Sequence, residues 1–151
     1  MQLAGTYLLN APPEKVWPML MDPNTLAGIL PGVSKLEKSA ENTFKSIIEI
    51  KLGPVNGSFT GHLYLENLQE PTAFTLKVQQ NSKIGNANAA IKIDLIPVEP
   101  GKTQISFDGD VKMTGLLASM GQRVVSSVSN VLTKQFFTNL EKELEKDKIP
   151  G

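Results

Sequence analysis

The chain has no cysteine. Disulfides, thiolate nucleophiles and cysteine-ligated zinc or iron–sulfur centres are therefore excluded. The absence suits a reducing, cytoplasmic location. Histidine occurs once, as His62, which leaves little for imidazole catalysis, and no serine stands in a Gly-x-Ser-x-Gly elbow. No apolar run approaches the roughly 18 residues of a membrane-spanning helix. The opening Met1-Gln2-Leu3-Ala4-Gly5-Thr6 lacks the basic segment and apolar core of a secretory signal. Charge of one sign is missing too, because 15 basic residues cancel 15 acidic ones. Without a basic field to replace counterions on phosphate, no nucleic-acid partner is expected.

What is present is an ordinary globular composition. With 151 residues, 40% of them hydrophobic and 20% charged, the chain can bury a core without covalent staples. Gln2 to Asn10 reads as a strand with Leu3, Gly5, Tyr7 and Leu9 on one face. Ala11-Pro12-Pro13-Glu14 opens a short helix, with proline in its first turn and an acid at the positive end of the dipole. Val16, Trp17, Leu20 and Met21 form its apolar side. Asp22-Pro23 interrupts it, Asn24 to Leu30 forms a second short helix, and Pro31-Gly32 ends that segment.

From Ser34 to about Met113 the period becomes two. Phe44, Ile48, Ile50 and Leu52 share a face; Val55, Phe59, Leu63 and Leu65 share another. Phe74, Leu76 and Val78 follow, then Ala89, Ile91, Ile93 and Leu95, then Ile105, Phe107, Val111 and Met113. Such runs joined by short turns mean an antiparallel sheet with one polar face. Thr114 to about Asp147 reads as one long helix, with a stripe of Leu117, Met120, Val124, Val128, Val131, Leu132, Phe136, Leu140 and Leu144. Its roughly 30 residues span about 45 Å, and the sheet is the only surface large enough to receive the stripe. The expected fold is α+β: a single domain over residues 1–147, with 148–151 as a tail.

Side-chain chemistry is poorly provided for. Alternation puts His62 on the polar face with Thr60 and Tyr64, and Asp108 and Asp110 on a solvent face beside Lys112. General acid–base work needs a titratable group in a dry pocket. The inward positions are nearly all aliphatic or aromatic, so the protein is not expected to be an enzyme.

The order of elements and several short motifs carry a resemblance. Ala11-Pro12-Pro13-Glu14-Lys15-Val16-Trp17, Asp22-Pro23 and Leu30-Pro31-Gly32-Val33 resemble the opening of the carbon monoxide dehydrogenase CoxG family. Gly53-Pro54-Val55 with Gly57, Phe59 and Gly61 is similar to its central hairpin. Thr114-Gly115-Leu116-Leu117-Ala118, Gly121-Gln122-Arg123 and Phe136-Phe137 resemble its last helix. The resemblance implies the helix-grip fold of the START-like (SRPBCC) superfamily. There, two short helices follow the first strand, and a curved antiparallel sheet wraps a long C-terminal α-helix around a cavity. It also implies a non-catalytic accessory protein of a molybdenum-containing hydroxylase that holds a quinone or lipid, with no covalent cofactor and no metal. Fuller members of the family carry an apolar C-terminal extension, whereas this sequence stops at Lys148-Ile149-Pro150-Gly151. Membrane contact is accordingly expected to be at most peripheral, at the inner face of the membrane.

On that reading the ligand-binding residues come from the inner face of the sheet: Phe44, Ile48, Phe59, Gly61, Phe74, Leu76, Ala89, Ile91 and Phe107. The long helix adds Leu117, Met120, Val124 and Val128; Trp17 and Leu30 come from the short helices. Gly57, Gly61, Ala89 and Gly109 either relieve crowding at a bend or leave room for a ligand. Trp17 is either a lid or a hydrophobic plug. The apolar loop Leu26, Ile29, Leu30 and Val33 is a cavity mouth, a membrane-touching tip or packed core. Gln80, Ser46 and Ser82 are the few polar residues expected to point inward, as candidate contacts for a ligand head group. Two other functions stay open: a protein-interaction module with a vestigial cavity, and a cyclase or dehydratase.

Overall fold

The computed structural model describes residues 1–148. The chain runs β1 (Gln2–Leu9), α1 (Pro13–Met21), α2 (Pro23–Ile29), β2 (Val33–Ala40), β3 (Thr43–Leu52), β4 (Val55–Gln69), β5 (Ala73–Ser82), β6 (Gly85–Glu99), β7 (Lys102–Met113), α3 (Gly115–Ser119) and α4 (Gln122–Lys148). The seven strands form one antiparallel sheet in the order β1-β7-β6-β5-β4-β3-β2. From β2 to β7 each strand pairs with its successor, as hairpin turns require; β1 joins β7 at the far edge. The α1–α2 pair therefore carries the chain from one edge of the sheet to the other. This is the helix-grip architecture that the sequence motifs imply.

Local chemistry explains the short helices. Pro13 begins α1 where its missing N–H costs nothing, and Glu14 lies in the first turn. Asp22 ends α1 and caps α2: its carboxylate accepts from the Thr25 N–H at 3.3 Å and from the Thr25 hydroxyl at 2.7 Å. Asn139 on α4 donates to the Ile29 carbonyl at 3.0 Å, which fixes the end of α2 against the long helix.

Two expectations need correction. The single helix predicted from Thr114 to Asp147 is broken into α3 and α4. The break falls at Gly121, whose φ of 88° lies in the left-handed region that L side chains avoid. The apolar stripe conceals it because both pieces have an inward side. The α3 turn is held by β6 and the turn before it: Leu117 N–H donates to the Ile84 carbonyl at 2.9 Å, and Asn86 N–H donates to the Thr114 hydroxyl at 3.1 Å. The second correction is β2, for which the sequence suggests no apolar alternation. It is an edge strand whose Lys35, Glu37 and Lys38 are exposed while Leu36 is half-buried, as charged edges that resist further pairing commonly are. Of the four residues assigned to a tail, Lys148 ends α4, and 149–151 lie outside the described residues.

The interior divides into two apolar clusters. The larger packs the middle of the sheet against α1, α2 and the C-terminal part of α4, with Leu9, Ile29 and Leu140 fully enclosed. The smaller joins Val55 and Phe59 of β4 to Leu117 of α3.

Candidate functional site

A cavity of about 300 Å³ lies between the larger cluster's strands and its helices. Every side chain that lines it is a hydrocarbon except Thr133. The inner face supplies the long wall, because residues two apart on a strand project to the same side. Thus Leu63 and Leu65 come from β4, Leu76 and Val78 from β5, Ile91 and Ile93 from β6. The opposing wall is Leu132, Thr133, Phe136 and Phe137, two consecutive pairs about one helical turn apart on α4. Leu20 of α1, Leu26 of α2 and Leu30 just after it complete the lining.

Aromatic rings stiffen one side of this space. Phe137, buried, stacks on Tyr7 with centroids 4.4 Å apart and lies 5.8 Å from Phe107 and 5.2 Å from Phe136. The Tyr7 hydroxyl donates to the Glu141 carboxylate. That hydrogen bond, then burial, then the charge of Glu141 push the phenol above its usual pKa.

The residues expected from sequence fall into three groups. Leu30, Phe44, Phe74, Leu76, Ile91 and Phe107 line the cavity together. Ile48, Phe59, Leu117, Met120 and Val128 belong instead to the smaller cluster at the other end of the sheet. Trp17 is buried behind the wall, edge-on to Phe74 at 5.7 Å, in the position of a plug. Gly61 and Ala89 occupy inner-face positions that line no part of the cavity; Val124 is half-buried on α4, beside the buried Val125. Leu26 and Ile29 are packed, which removes them from a membrane-touching tip.

Sequence reasoning missed Leu3, Leu20, Leu63, Leu65, Val78, Ile93, Ile105, Leu132, Thr133, Phe136 and Phe137 as lining residues. The strand positions carried a usable signal, since they share parity with Leu76 and Ile91. No sequence signal marks which half of α4 faces open space.

One polar row crosses the inner face beside the cavity. Ser46, Gly61 and Gln80 are aligned on adjacent strands β3, β4 and β5. Ser46 and Gln80 are 3% and 4% exposed, and the Gln80 Nε2 donates to the Ser46 hydroxyl at 2.9 Å. Ser82, the third expected inward polar residue, serves its own turn: its hydroxyl donates to the Gly85 carbonyl at 2.6 Å and accepts from Ile84 N–H.

The outer face offers less. The ring of His62 stacks on Tyr64 at 5.9 Å. Asp108 accepts from the Gln2 amide and Asp110 from the Met1 ammonium, so both carboxylates have surface partners. Among the described residues no three His, Asp or Glu side chains converge as a metal site would need, and no helix is long and apolar enough to cross a membrane.

The fold recurs in solved structures. A conserved protein from Geobacillus kaustophilus matches 97% of this chain and 96% of its own at 29% identity, with a TM-score of 0.94. A START superfamily protein from Mycobacterium smegmatis matches at 14% identity and a TM-score of 0.76, covering 96% of this chain and 97% of its own. The Zhui aromatase/cyclase from Streptomyces sp. R1128 matches at 13% identity and a TM-score of 0.73, covering 99% and 96%. At identities that low the last two show the fold alone. No curated protein matches the sequence. The family model of carbon monoxide dehydrogenase CoxG matches residues 5–145, nearly the whole chain, and the protein belongs to that family.

Proposed function

We propose that this protein is a non-catalytic accessory factor that holds an apolar small molecule, quinone- or lipid-like, in the cavity between sheet and α4. The observation that carries the reading is the lining itself. A space of about 300 Å³ walled by hydrocarbon, with Thr133 its single polar side chain, rewards burial of apolar surface and little else. Family and fold agree with hydrophobic-ligand binding. The same lining argues against cyclase or dehydratase chemistry, which needs an acid and a base beside the substrate.

The partner on this reading is a molybdenum-containing hydroxylase, as the family's name suggests. The protein would work in the cytoplasm and touch the membrane only peripherally. A cavity at the low end of the usual range for pockets, about 300–1,000 Å³, takes a fused ring or part of an acyl chain. A longer tail has to leave through the wall.

The test is mass spectrometry of an organic extract of the natively purified protein, against an unrelated protein of similar size. A quinone or lipid recovered near one per chain supports the reading. If nothing is recovered, and neither menaquinone nor a fatty acid binds when added, the carrier reading fails. The cavity is then vestigial, and a protein-docking module is the better account.

A further inference from the structure

Gln80 presents an unsolved hydrogen-bonding problem. Its Oε1 is buried and has no partner, and it is the one such side-chain atom found among the described residues. Buried polar atoms in native proteins are almost always satisfied, because an unmet acceptor forfeits the hydrogen bond it had in water. The assignment of the two amide atoms follows from the surroundings. Nε2 lies 2.9 Å from the Ser46 hydroxyl and 3.5 Å from the His62 carbonyl oxygen. Flipping the amide would set two carbonyl oxygens against each other, so the nitrogen belongs there and the orphan is an acceptor.

The position of the amide is equally specific. Ser46, Gly61 and Gln80 form the row next to Phe44, Leu63 and Val78, which line the cavity. The two rows are about 7 Å apart, the advance of two strand residues. Gly61 stands between the two polar side chains, and any Cβ there would lie 1.8 Å from the Gln79 carbonyl oxygen. Beyond the row the smaller cluster resumes with Ile48 and Phe59. An isolated polar pair is thus set between two apolar compartments, at one end of the larger one.

We propose that the Gln80–Ser46 pair is the polar end of the ligand site, and that the ligand brings a hydrogen-bond donor to Gln80 Oε1. The inference rests on the carrier reading and narrows its ligand class. A phenol, a hydroquinone or a fatty alcohol carries the required O–H. A quinone in its oxidised form offers only acceptors, so the site discriminates for the reduced form. Since Oε1 is closed off from solvent, the ligand lengthens the cavity by one row as it enters, displacing side chains of the Phe44–Val78 row.

Three probes of nearly one shape make the test: naphthalene, naphthol and the methyl ether of naphthol, titrated into ligand-stripped protein by calorimetry. Naphthol is expected to bind about tenfold more tightly than the other two, the usual worth of one buried hydrogen bond. In Gln80→Met, which keeps length and loses the acceptor, that preference disappears while naphthalene affinity stays. Because the probe series is read first on the unaltered chain, the test survives if the variant folds poorly. Equal affinities for all three probes, or a preference that persists in Gln80→Met, overturn the donor assignment and leave the carrier reading standing. An ordered water on Oε1 that stays in place in a naphthol-bound crystal structure does the same. If no probe binds, both readings fail together.

Discussion

Leu140 and Leu76 are both inner-facing leucines, yet truncating them should cost very different amounts. Leu140 is fully buried in the larger cluster and lines no cavity. Leu140→Ala removes packed methyl groups and leaves a new hole, which costs about 4 kcal/mol. Leu76 lies in the cavity wall and is half-buried. Part of its surface already lacks neighbours, and the space opened by Leu76→Ala merges with a void that exists. Only the transfer free energy of the contacts it does make is lost, about 1–2 kcal/mol. The difference of about 2–3 kcal/mol corresponds to a gap of about 5–10 °C in Tm for a chain of this length. Urea titration of ligand-stripped variants measures it directly, provided the m-values agree. Equal costs for the two substitutions would mean that Leu76 is as tightly packed as Leu140, and that the cavity is not there in solution.

Three further outcomes follow from single contacts. Thr103 is fully buried and its hydroxyl donates to the Ala11 carbonyl at 2.6 Å; Thr103→Val keeps the shape, orphans that carbonyl and should lower stability by about 1–3 kcal/mol in chemical denaturation. Asn139→Ala removes the tie from α4 to the end of α2, with an expected loss of about 1 kcal/mol and faster amide exchange in α2 relative to α4. Tyr7 is held protonated by Glu141, so its folded pKa exceeds the unfolded value of 10.0. A raised pKa contributes stability that is complete below the unfolded value and is lost as pH rises through the folded one. Alkaline unfolding of the parent should therefore steepen above pH 10.0 relative to Tyr7→Phe; superimposable profiles refute the contact.

Much of this was legible because a sheet with one wet face writes its orientation into alternate residues. The parity of Phe44, Phe74, Leu76, Ile91 and Phe107 put them inside, and the same parity brought Ser46 and Gln80 into view as buried polar residues. Parity says which face, but not which row. Phe59 and Leu63 share strand, face and chemistry, yet one fills a closed cluster and the other borders the cavity. That difference depends on how far α4 stands from the sheet, and it is fixed by contacts distant in sequence. The helix shows the same gap: an uninterrupted apolar stripe hid the break at Gly121 and drew attention to Val124 and Val128. The cavity wall is built one to four turns further on, from Leu132 to Phe137. Strand β2 escaped notice because an exposed edge has no apolar face to display.

The most direct test of the binding site is a methyl NMR titration of ligand-stripped protein with an apolar probe such as naphthol. Cavity residues and core residues of the same type then serve as internal controls. The account predicts saturable shifts at Leu76, Ile91, Ile93 and Ile105, with Ile29 and Val16, which line no cavity, nearly unmoved. Saturable shifts confined to surface methyls such as Ile96 and Val98, or no saturable shift at all, would contradict it.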